Sequence, residues 1–396
     1  MRGLLEVLAI IPARGGSKGI PRKNIKKLLG KPLVGLTIEN CKNSAFICRT
    51  VVSTDDEEIA RISKEFGAEV INRPSQISGD NAPSELALLH VLDNLAVNES
   101  YCPDLTVLLQ CTSPLILPED IDGTIQSLLD NNADVAFAVT KSHQFLWTID
   151  NMGNVTALNH DQSFRPMRQS INFQFSETGA IYVMKTNGLI KHKHRFFGKL
   201  SVHVIPENRS IDIDEPIDLN IAETFILERQ QRKVYQLLPD VIDAIILDFD
   251  GVFTDNRVLV FEDGREAVIC NRSDGLGISM TLKSFNIPIV VVSSETNQVV
   301  KSRCDKLNIK CITDVKNKLS IIKKWIIDNK FNHKNVIYVG NDINDMECIQ
   351  YVGCGIAVND ACDEVKKCAK IILQSSGGKG AIRELLNFIF LKMERG

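Results

Sequence analysis

Two aspartates two residues apart close an apolar run, Ala244-Ile245-Ile246-Leu247-Asp248-Phe249-Asp250. The run reads as a buried parallel strand that stops at Asp248. Side chains alternate along a strand, so Asp248 and Asp250 face the same way. They converge beyond the carboxyl end of the strand, where open α/β sheets place their ligands. Clustered carboxylates repel one another unless a cation joins them, and hard oxygen ligands suit Mg2+. One carboxylate can attack phosphorus while its neighbour handles the leaving-group proton. Taken alone the pair also fits an ordinary strand-end turn, but further strand ends follow in order. Val290-Val291-Val292-Ser293-Ser294-Glu295 ends in hydroxyls able to hold a phosphate oxygen. Lys318 supplies a cation for the same phosphate. Val336-Ile337-Tyr338-Val339-Gly340-Asn341-Asp342 ends a third strand, and its acids, with Asp345 after them, can complete a metal site.

The amino-terminal half has a separate constellation. The strand Leu8-Ala9-Ile10-Ile11 runs into Arg14-Gly15-Gly16-Ser17-Lys18-Gly19, then Arg22, Lys23 and Asn24. Glycines let a turn present N–H groups to an anion, and the cations neutralise it. The order of residues is not that of a Walker A loop. The competing reading is a basic surface patch over Arg22–Lys27. Further strand ends carry Asp55 and Asp56, then Gln110, Thr112 and Ser113. Arg73 and Ser84 lie between them, and Arg168 and Tyr182 follow. Ser210-Ile211-Asp212-Ile213-Asp214 repeats the spaced carboxylate pair, a second place for Mg2+.

Over roughly residues 240–390 this order of motifs resembles the haloacid dehalogenase (HAD) phosphatase superfamily. The resemblance implies Asp248 as a nucleophile that becomes an aspartyl phosphate, with Asp250 as general acid/base. Ser293 and Lys318 would bind the phosphoryl group, with Ser294 beside them. Asp342 would hold Mg2+ with Asp248 and the Asp250 carbonyl, and Asp345 would be a supporting acid. The hairpin expected from Arg257–Phe261 and Glu266–Cys270 and the helix Leu319–Lys330 leave no room for a cap domain. A capless site needs cover from elsewhere, such as another subunit. That feature and the glycine-rich stretch Gly377-Gly378-Lys379-Gly380 before an apolar helix look like the 3-deoxy-octulosonate 8-phosphate phosphatases, which are capless tetramers. Glu295 and Lys306 look instead like the sugar-acid 9-phosphate phosphatases, against a competing reading as two surface charges.

Residues 5–230 resemble the N-acylneuraminate (CMP-sialic acid) cytidylyltransferases. By that resemblance Arg14, Ser17, Lys18, Lys23 and Asn24 contact CTP, and Arg73 and Ser84 lie near its cytidine. Gln110, Arg168 and Tyr182 contact the sugar acid, while Asp212 and Asp214 bind Mg2+. Arg195-Phe196-Phe197 resembles a segment crossing to a second subunit, which implies a dimer; apolar packing of Phe196 and Phe197 is the competing reading. Thr178 stands where the family often has Asn.

The elements that must position these residues alternate strand and helix throughout, an α/β pattern. The expected architecture is two domains: a nucleotidyltransferase Rossmann-like mixed sheet over 1–236, then a capless HAD-like doubly wound parallel sheet over 240–396. The expected boundary, near Gln236–Asp243, follows a helix Leu219–Leu237. With 44% hydrophobic residues and a formal net charge of −3, the 396-residue chain has no general nucleic-acid character. No apolar run approaches the ~20 residues of a membrane span. Leu4–Ile11 is too short for a signal peptide. The 11 cysteines form no CxxC pairs, which points to reduced thiols in the cytoplasm. The expected function is bifunctional: CTP plus a sialic acid (Neu5Ac or Kdn) to CMP-sialic acid, and hydrolysis of sialic acid 9-phosphate. Left open are an idle HAD domain serving oligomerisation and activation of octulosonate or legionaminic acid instead.

Overall fold

The computed structural model describes residues 5–17, 19–80, 82–164, 167 and 174–395. Lys18 and Arg168, both expected at the amino-terminal site, lie outside the described residues. The chain divides into two compact units, Met1–Leu227 and Glu228–Gly396. The dividing point falls inside the helix Pro216–Leu237, ahead of the expected boundary at Gln236.

Among the described residues, the first unit is built on a seven-stranded sheet. Its strands are β1 (Val7–Pro12), β2 (Arg49–Thr54), β3 (Glu69–Asn72), β4 (Leu105–Leu109), β5 (Val135–Ser142), β6 (Gln174–Lys185) and β7 (Leu200–Val204). Their order is β7-β5-β6-β4-β1-β2-β3. Only β6 runs antiparallel to its neighbours, so the sheet is mixed, as expected. The apolar runs Val7–Ile11 and Val107–Leu109 are fully buried because helices cover both faces of a mainly parallel sheet. The parallel strands β1, β2 and β4 all deliver their carboxyl ends to one edge, where Arg14, Asp55 and Gln110 lie.

In the second unit the described residues form a six-stranded parallel sheet. Its strands are β8 (Ala244–Leu247), β9 (Ile289–Val292), β10 (Lys310–Ile312), β11 (Val336–Gly340), β12 (Cys354–Ala357) and β13 (Ile371–Ile372). The order is β10-β9-β8-β11-β12-β13. β8 pairs with β9 and β11 on its two sides, which aligns the carboxyl ends that carry Asp248, Ser293 and Asn341. The expected hairpin is present but short, Leu259–Val260 against Glu266–Ala267, because its side chains point into solvent rather than onto a core. The expected helix over Leu319–Lys330 forms as Lys318–Asp328. Among the described residues no helix is long and apolar enough to cross a membrane.

Candidate functional site

In the first unit a cavity of about 310 Å³ is lined by Arg14, Ser17, Lys23, Asn24, Arg73, Ser84 and Gln110, together with Asp80 and Thr112. Seven expected contact residues, drawn from strand ends and loops far apart in sequence, therefore meet in one place. The loop after β1 is tied from several directions. Gly15 N donates to Asp55 Oδ1 at 2.9 Å, and Asn24 Nδ2 donates to the Arg14 carbonyl at 2.9 Å. Lys23 Nζ donates to Ile213 O at 2.6 Å and lies 3.1 Å from Asp214 Oδ1. A Cβ on Gly19 would sit 2.7 Å from the Asp214 carbonyl, so the loop can touch the Asp212–Asp214 segment only with glycine there. Ile213 N donates to Thr112 O at 2.7 Å, which docks the same segment on the end of β4.

These contacts bring Asp212 and Asp214 beside the glycine loop. One oxygen of Asp212, Oδ1, is buried without a protein partner, and burial followed by the nearby Asp214 charge raises its pKa despite a hydrogen bond from Thr112. A carboxylate so placed is short of positive charge, and a hard cation would supply it. Arg73 is buried and fixed to Ser53, through Nε to Oγ at 3.1 Å and Nη2 to the carbonyl at 2.6 Å. Burial lowers its pKa from the usual guanidinium value. Arg22, in contrast, turns away to Asp56 at 2.9 Å and Glu58 at 2.8 Å.

Three residues expected to serve substrate, Tyr182 as a sugar contact and Phe196 and Phe197 on a segment reaching a second subunit, do not line this cavity. Tyr182 faces the opposite side of the sheet, in a cluster with Leu8, Ile10 and Leu108, and its hydroxyl is taken by Glu177. Phe196 packs edge-on against Phe137 at 5.2 Å between ring centroids, and Phe197 stacks on His192 at the same separation. Both phenylalanines lie against the core cluster of their own unit. Arg195 anchors the segment within the chain. It pairs with Glu85 at 2.7 Å and covers the Tyr182 ring at 4.7 Å. A second cavity of about 910 Å³ lies along Thr140–Trp147 and includes Lys141, His143 and Ser176.

In the second unit, a cavity of about 90 Å³ gathers Asp248, Asp250, Ser293, Ser294, Glu295, Lys318 and Asp342 from four loops. Asp248 and Lys318 are 5% and 4% exposed and Asp345 is 0% exposed, so charge here is little screened. Lys318 Nζ sits 2.8 Å from both Asp248 Oδ1 and Asp345 Oδ1. Asp345 is saturated: it also accepts from the Tyr338 hydroxyl at 2.6 Å and from the Asn341 N–H at 2.9 Å. Its oxygens are thus committed to protein partners. One cation shared by two buried carboxylates leaves an excess of negative charge. Burial and the Asp345 charge push Asp248 up to about 8, and burial with Glu295 raises Asp250. Burial pulls Lys318 down, but Asp248 and Asp345 overrule it and hold it above the usual amine value. The donor set fits a divalent cation, whose charge would balance Asp248 in its ionised form.

One expectation changes here. Lys306 is exposed on the last turn of the helix Gln298–Leu307 and does not line the cavity; Glu295 does. Asp342 stands at the lip, where its Oδ1 accepts from Ile343 N at 2.7 Å. The buried neighbour Asn341 instead reaches the Asp248–Asp250 loop.

A family description, cytidylyltransferase, matches residues 8–235. The chain belongs to the cytidylyltransferase family. A haloacid dehalogenase-like hydrolase description matches residues 292–385. The chain is 30% identical over 395 residues to an N-acylneuraminate cytidylyltransferase of Oncorhynchus mykiss, covering 98% of this chain and 89% of that one. It is 33% identical over 226 residues to a pseudaminic acid cytidylyltransferase of Campylobacter jejuni, covering 55% of this chain and 95% of that one. A crystal structure of 3-deoxy-D-manno-octulosonate 8-phosphate phosphatase from Yersinia pestis is 26% identical, covering 41% of this chain and 88% of that one at a TM-score of 0.40.

The cytidylyltransferase thus carries a HAD-like hydrolase domain in its carboxyl half. The glycine stretch there is a packing device. Gly377 N donates to Asp360 Oδ1 at 2.9 Å and Gly378 N to Val252 O at 3.0 Å. A Cβ on Gly377 would lie 1.9 Å from the Gly251 carbonyl and 2.9 Å from that of Thr254. The obstructing atoms are backbone of the loop that carries Asp250, so they cannot step aside independently. Gly377→Ala is expected to destabilise the carboxyl unit by about 1–3 kcal/mol, the cost of overpacking, and to slow phosphate release. Urea unfolding of the variant, with CMP transfer as the internal control, checks this. Loss of CMP transfer to the same extent would contradict a local effect.

Sequence reasoning left Asp80, Thr112 and Asn341 out of the sites. Asp80 pairs with Arg14 at 3.0 Å in the wall of the first unit's 310 Å³ cavity, a contact between loops that no local pattern announces. Thr112 and Asn341 follow the ends of β4 and β11 closely, and that position was the available signal.

Proposed function

We propose that the chain is a bifunctional enzyme of sialic acid activation. The amino-terminal unit would join CMP from CTP to the 2-hydroxyl of a sialic acid, Neu5Ac or Kdn, releasing diphosphate. The carboxyl-terminal unit would remove phosphate from the 9-phosphate of the same class of acid. The observation that carries the reading is the convergence of Arg14, Lys23, Asn24, Arg73 and Ser84 on one cavity beside the Asp212–Asp214 pair. It is supported by the similarity to N-acylneuraminate cytidylyltransferases over nearly the whole chain. Two polyanions approach only when cations screen them. Lys23 and Arg14 offer that charge on the cavity wall, with Lys18 proposed beside them. Asp212 and Asp214 would hold Mg2+, which when bound adds charge at the phosphates. Arg168 remains the proposed partner of the sugar carboxylate, with Lys141 and His143 lining the neighbouring cavity.

In the phosphatase unit, Asp248 would attack phosphorus while Asp250 protonates the leaving alkoxide and later takes a proton from water. Ser293 and Lys318 would hold the phosphoryl oxygens. Asp248 and the Asp250 carbonyl would hold Mg2+, which neutralises charge on the phosphoryl group. Glu295, at the cavity edge, would accept hydrogen bonds from sugar hydroxyls.

Residues 1–236 and 240–396 remain the proposed domains, in a cytoplasmic enzyme; none of the 11 cysteines is paired in a disulfide. A homo-oligomer belongs to the proposal: a dimer through the amino-terminal unit and a tetramer through the HAD unit. In the ribbon formed by Trp147–Ile149 and Val155–Ala157, Trp147 and Ile149 are 51% and 68% exposed, apolar surface that a second copy would cover. Light scattering is expected to give a mass above the 44.1 kDa of one chain, and Trp147→Glu to lower it. A monomeric parent enzyme would remove this part of the proposal.

The deciding experiment is a panel of eight- and nine-carbon sugar acids with CTP, scored for diphosphate, beside the matching phosphates scored for free phosphate. Turnover of Neu5Ac or Kdn and of its 9-phosphate is expected. Preference for octulosonate, or absence of phosphate release from every member, would overturn the corresponding half.

A further inference from the structure

Four residues lining the 310 Å³ cavity of the first unit, Gly79, Asp80, Ala82 and Ser84, belong to the helix Ser84–Glu99 and the loop that leads into it. The start of that helix has no local lock. Pro83 occupies the cap position and offers no side-chain hydrogen bond, whereas the helices Glu57–Glu65 and Lys318–Asp328 begin on the side-chain caps Asp56 and Asn317. An uncapped first turn frays.

The second residue of the helix, Glu85, supplies a tie to distant chain. It is 6% exposed, and its carboxylate accepts from two arms of the Arg195 guanidinium, from Nε at 2.7 Å and from Nη2 at 3.2 Å. Burial alone would raise the pKa of Glu85, but Arg195 outweighs it and holds the carboxyl below its usual value. Arg195 is held in turn by the core. Its guanidinium lies over the buried Tyr182 ring at 4.7 Å, and the Tyr182 hydroxyl goes to Glu177. Through Arg195, Glu85 is thus joined to strand β6. A buried ion pair contributes little net stability compared with apolar packing. A two-pronged hydrogen bond does fix direction as well as distance.

We propose that Glu85 and Arg195 are a positioning pair for the nucleotide: the ion pair sets the first turn of the helix Ser84–Glu99, and with it the surface that Ser84 and the preceding loop present to CTP. The inference rests on the reading of this cavity as the CTP site. Neither Glu85 nor Arg195 lines the cavity, so their effect passes through Ser84 and its loop. Arg195 then serves the nucleotide within its own chain, in contrast to the second-subunit role that resemblance implies for Arg195–Phe197. An interaction that holds CTP equally well before and during the reaction moves KM and leaves kcat alone.

Steady-state kinetics of the full chain with CTP and Neu5Ac, beside titration calorimetry with CTP alone, test the pair. E85Q and R195M are each expected to raise KM and Kd for CTP about tenfold, the loss of about one hydrogen bond to the nucleotide. R195K, which keeps the charge without the fork, is expected to recover part of that affinity. In all three, kcat and KM for Neu5Ac are expected to stay within about twofold of the parent. The double variant E85Q/R195M is expected to bind CTP no more weakly than the poorer single variant, because the two residues act as one unit. Unfolding temperatures report integrity, and R195K carries the test if R195M does not fold. A fall in kcat at unchanged CTP affinity would overturn the proposal and leave the pair structural. A rise in KM for Neu5Ac with CTP affinity unchanged would overturn it in favour of a sugar-side role. Additive losses in the double variant would overturn the coupling of the two residues. Failure of the parent chain to bind CTP would instead remove the reading of the cavity itself.

Discussion

Replacing Asp248 with Asn is expected to stop phosphate release, by about 10³-fold or more in kcat, and to leave CMP transfer within about twofold of the parent. The carboxylate is buried, lines the cavity and pairs with Lys318, the cation proposed to hold the phosphoryl group. An amide of the same shape keeps the packing but is no nucleophile at phosphorus. The variant should also be no less stable than the parent. Asp248 and Asp345 compete for one lysine, so neutralising Asp248 relieves repulsion and leaves Lys318 paired with Asp345. Phosphate release from a sugar-acid 9-phosphate, diphosphate release with CTP, and thermal unfolding on one preparation test all three statements. Equal loss of both activities would count against separate sites. A large fall in unfolding temperature would show that the Asp248–Lys318 pair is structural first.

The parts of both sites that lie at strand ends were legible in the sequence. A buried apolar run has a defined stopping point, and the residue types just past it declare their chemistry. Asp248, Ser293, Gln110 and the Arg14 loop were found that way, and parallel pairing of β8 with β9 and β11 brings the first two together. What failed depended on register or on distant partners. Tyr182 was named by likeness to the family; it sits beyond an irregularity in the β6–β5 pairing, between Glu177 and Tyr182, and packs into the core. Phe196 and Phe197 were placed by likeness alone, whereas the Arg195–Glu85 ion pair, made between residues 110 apart, decides where they go. Lys306, one helical turn from Arg303, stays exposed, whereas Arg303 donates to the Asn271 carbonyl at 3.1 Å, a contact that charge alone does not announce. At the end of β11 the resemblance named Asp342. The structure places the neutral Asn341 side chain against the Asp248–Asp250 loop, while Asp342 caps the turn Ile343–Asp345.

Lys23→Met is the corresponding test of the first unit. Its ammonium group is anchored at 2.6 Å to the Ile213 carbonyl and at 3.1 Å to Asp214, inside the same cavity wall as Arg14 and Ser17. It stands between the glycine loop and the carboxylate pair, the position from which one cation meets both the nucleotide phosphates and the acids proposed to hold Mg2+. Removing a preorganised positive group from a site of developing phosphate charge costs on the order of 10²–10³ in kcat. Met keeps most of the apolar stem, so the loss reports charge rather than volume. The Asp212–Asp214 segment keeps its own anchor, the Ile213 N–H to Thr112 O bond at 2.7 Å, and should not drift when Lys23 is gone. Phosphate release at the other site is expected to stay unchanged, and Lys23→Arg to recover part of the CMP transfer. If Lys23→Met kept more than about a third of the parent rate at saturating CTP, well short of that loss, the ammonium group would be a loop anchor alone. The positive charge required at the phosphates would then have to come from Arg14, Lys18 and the metal.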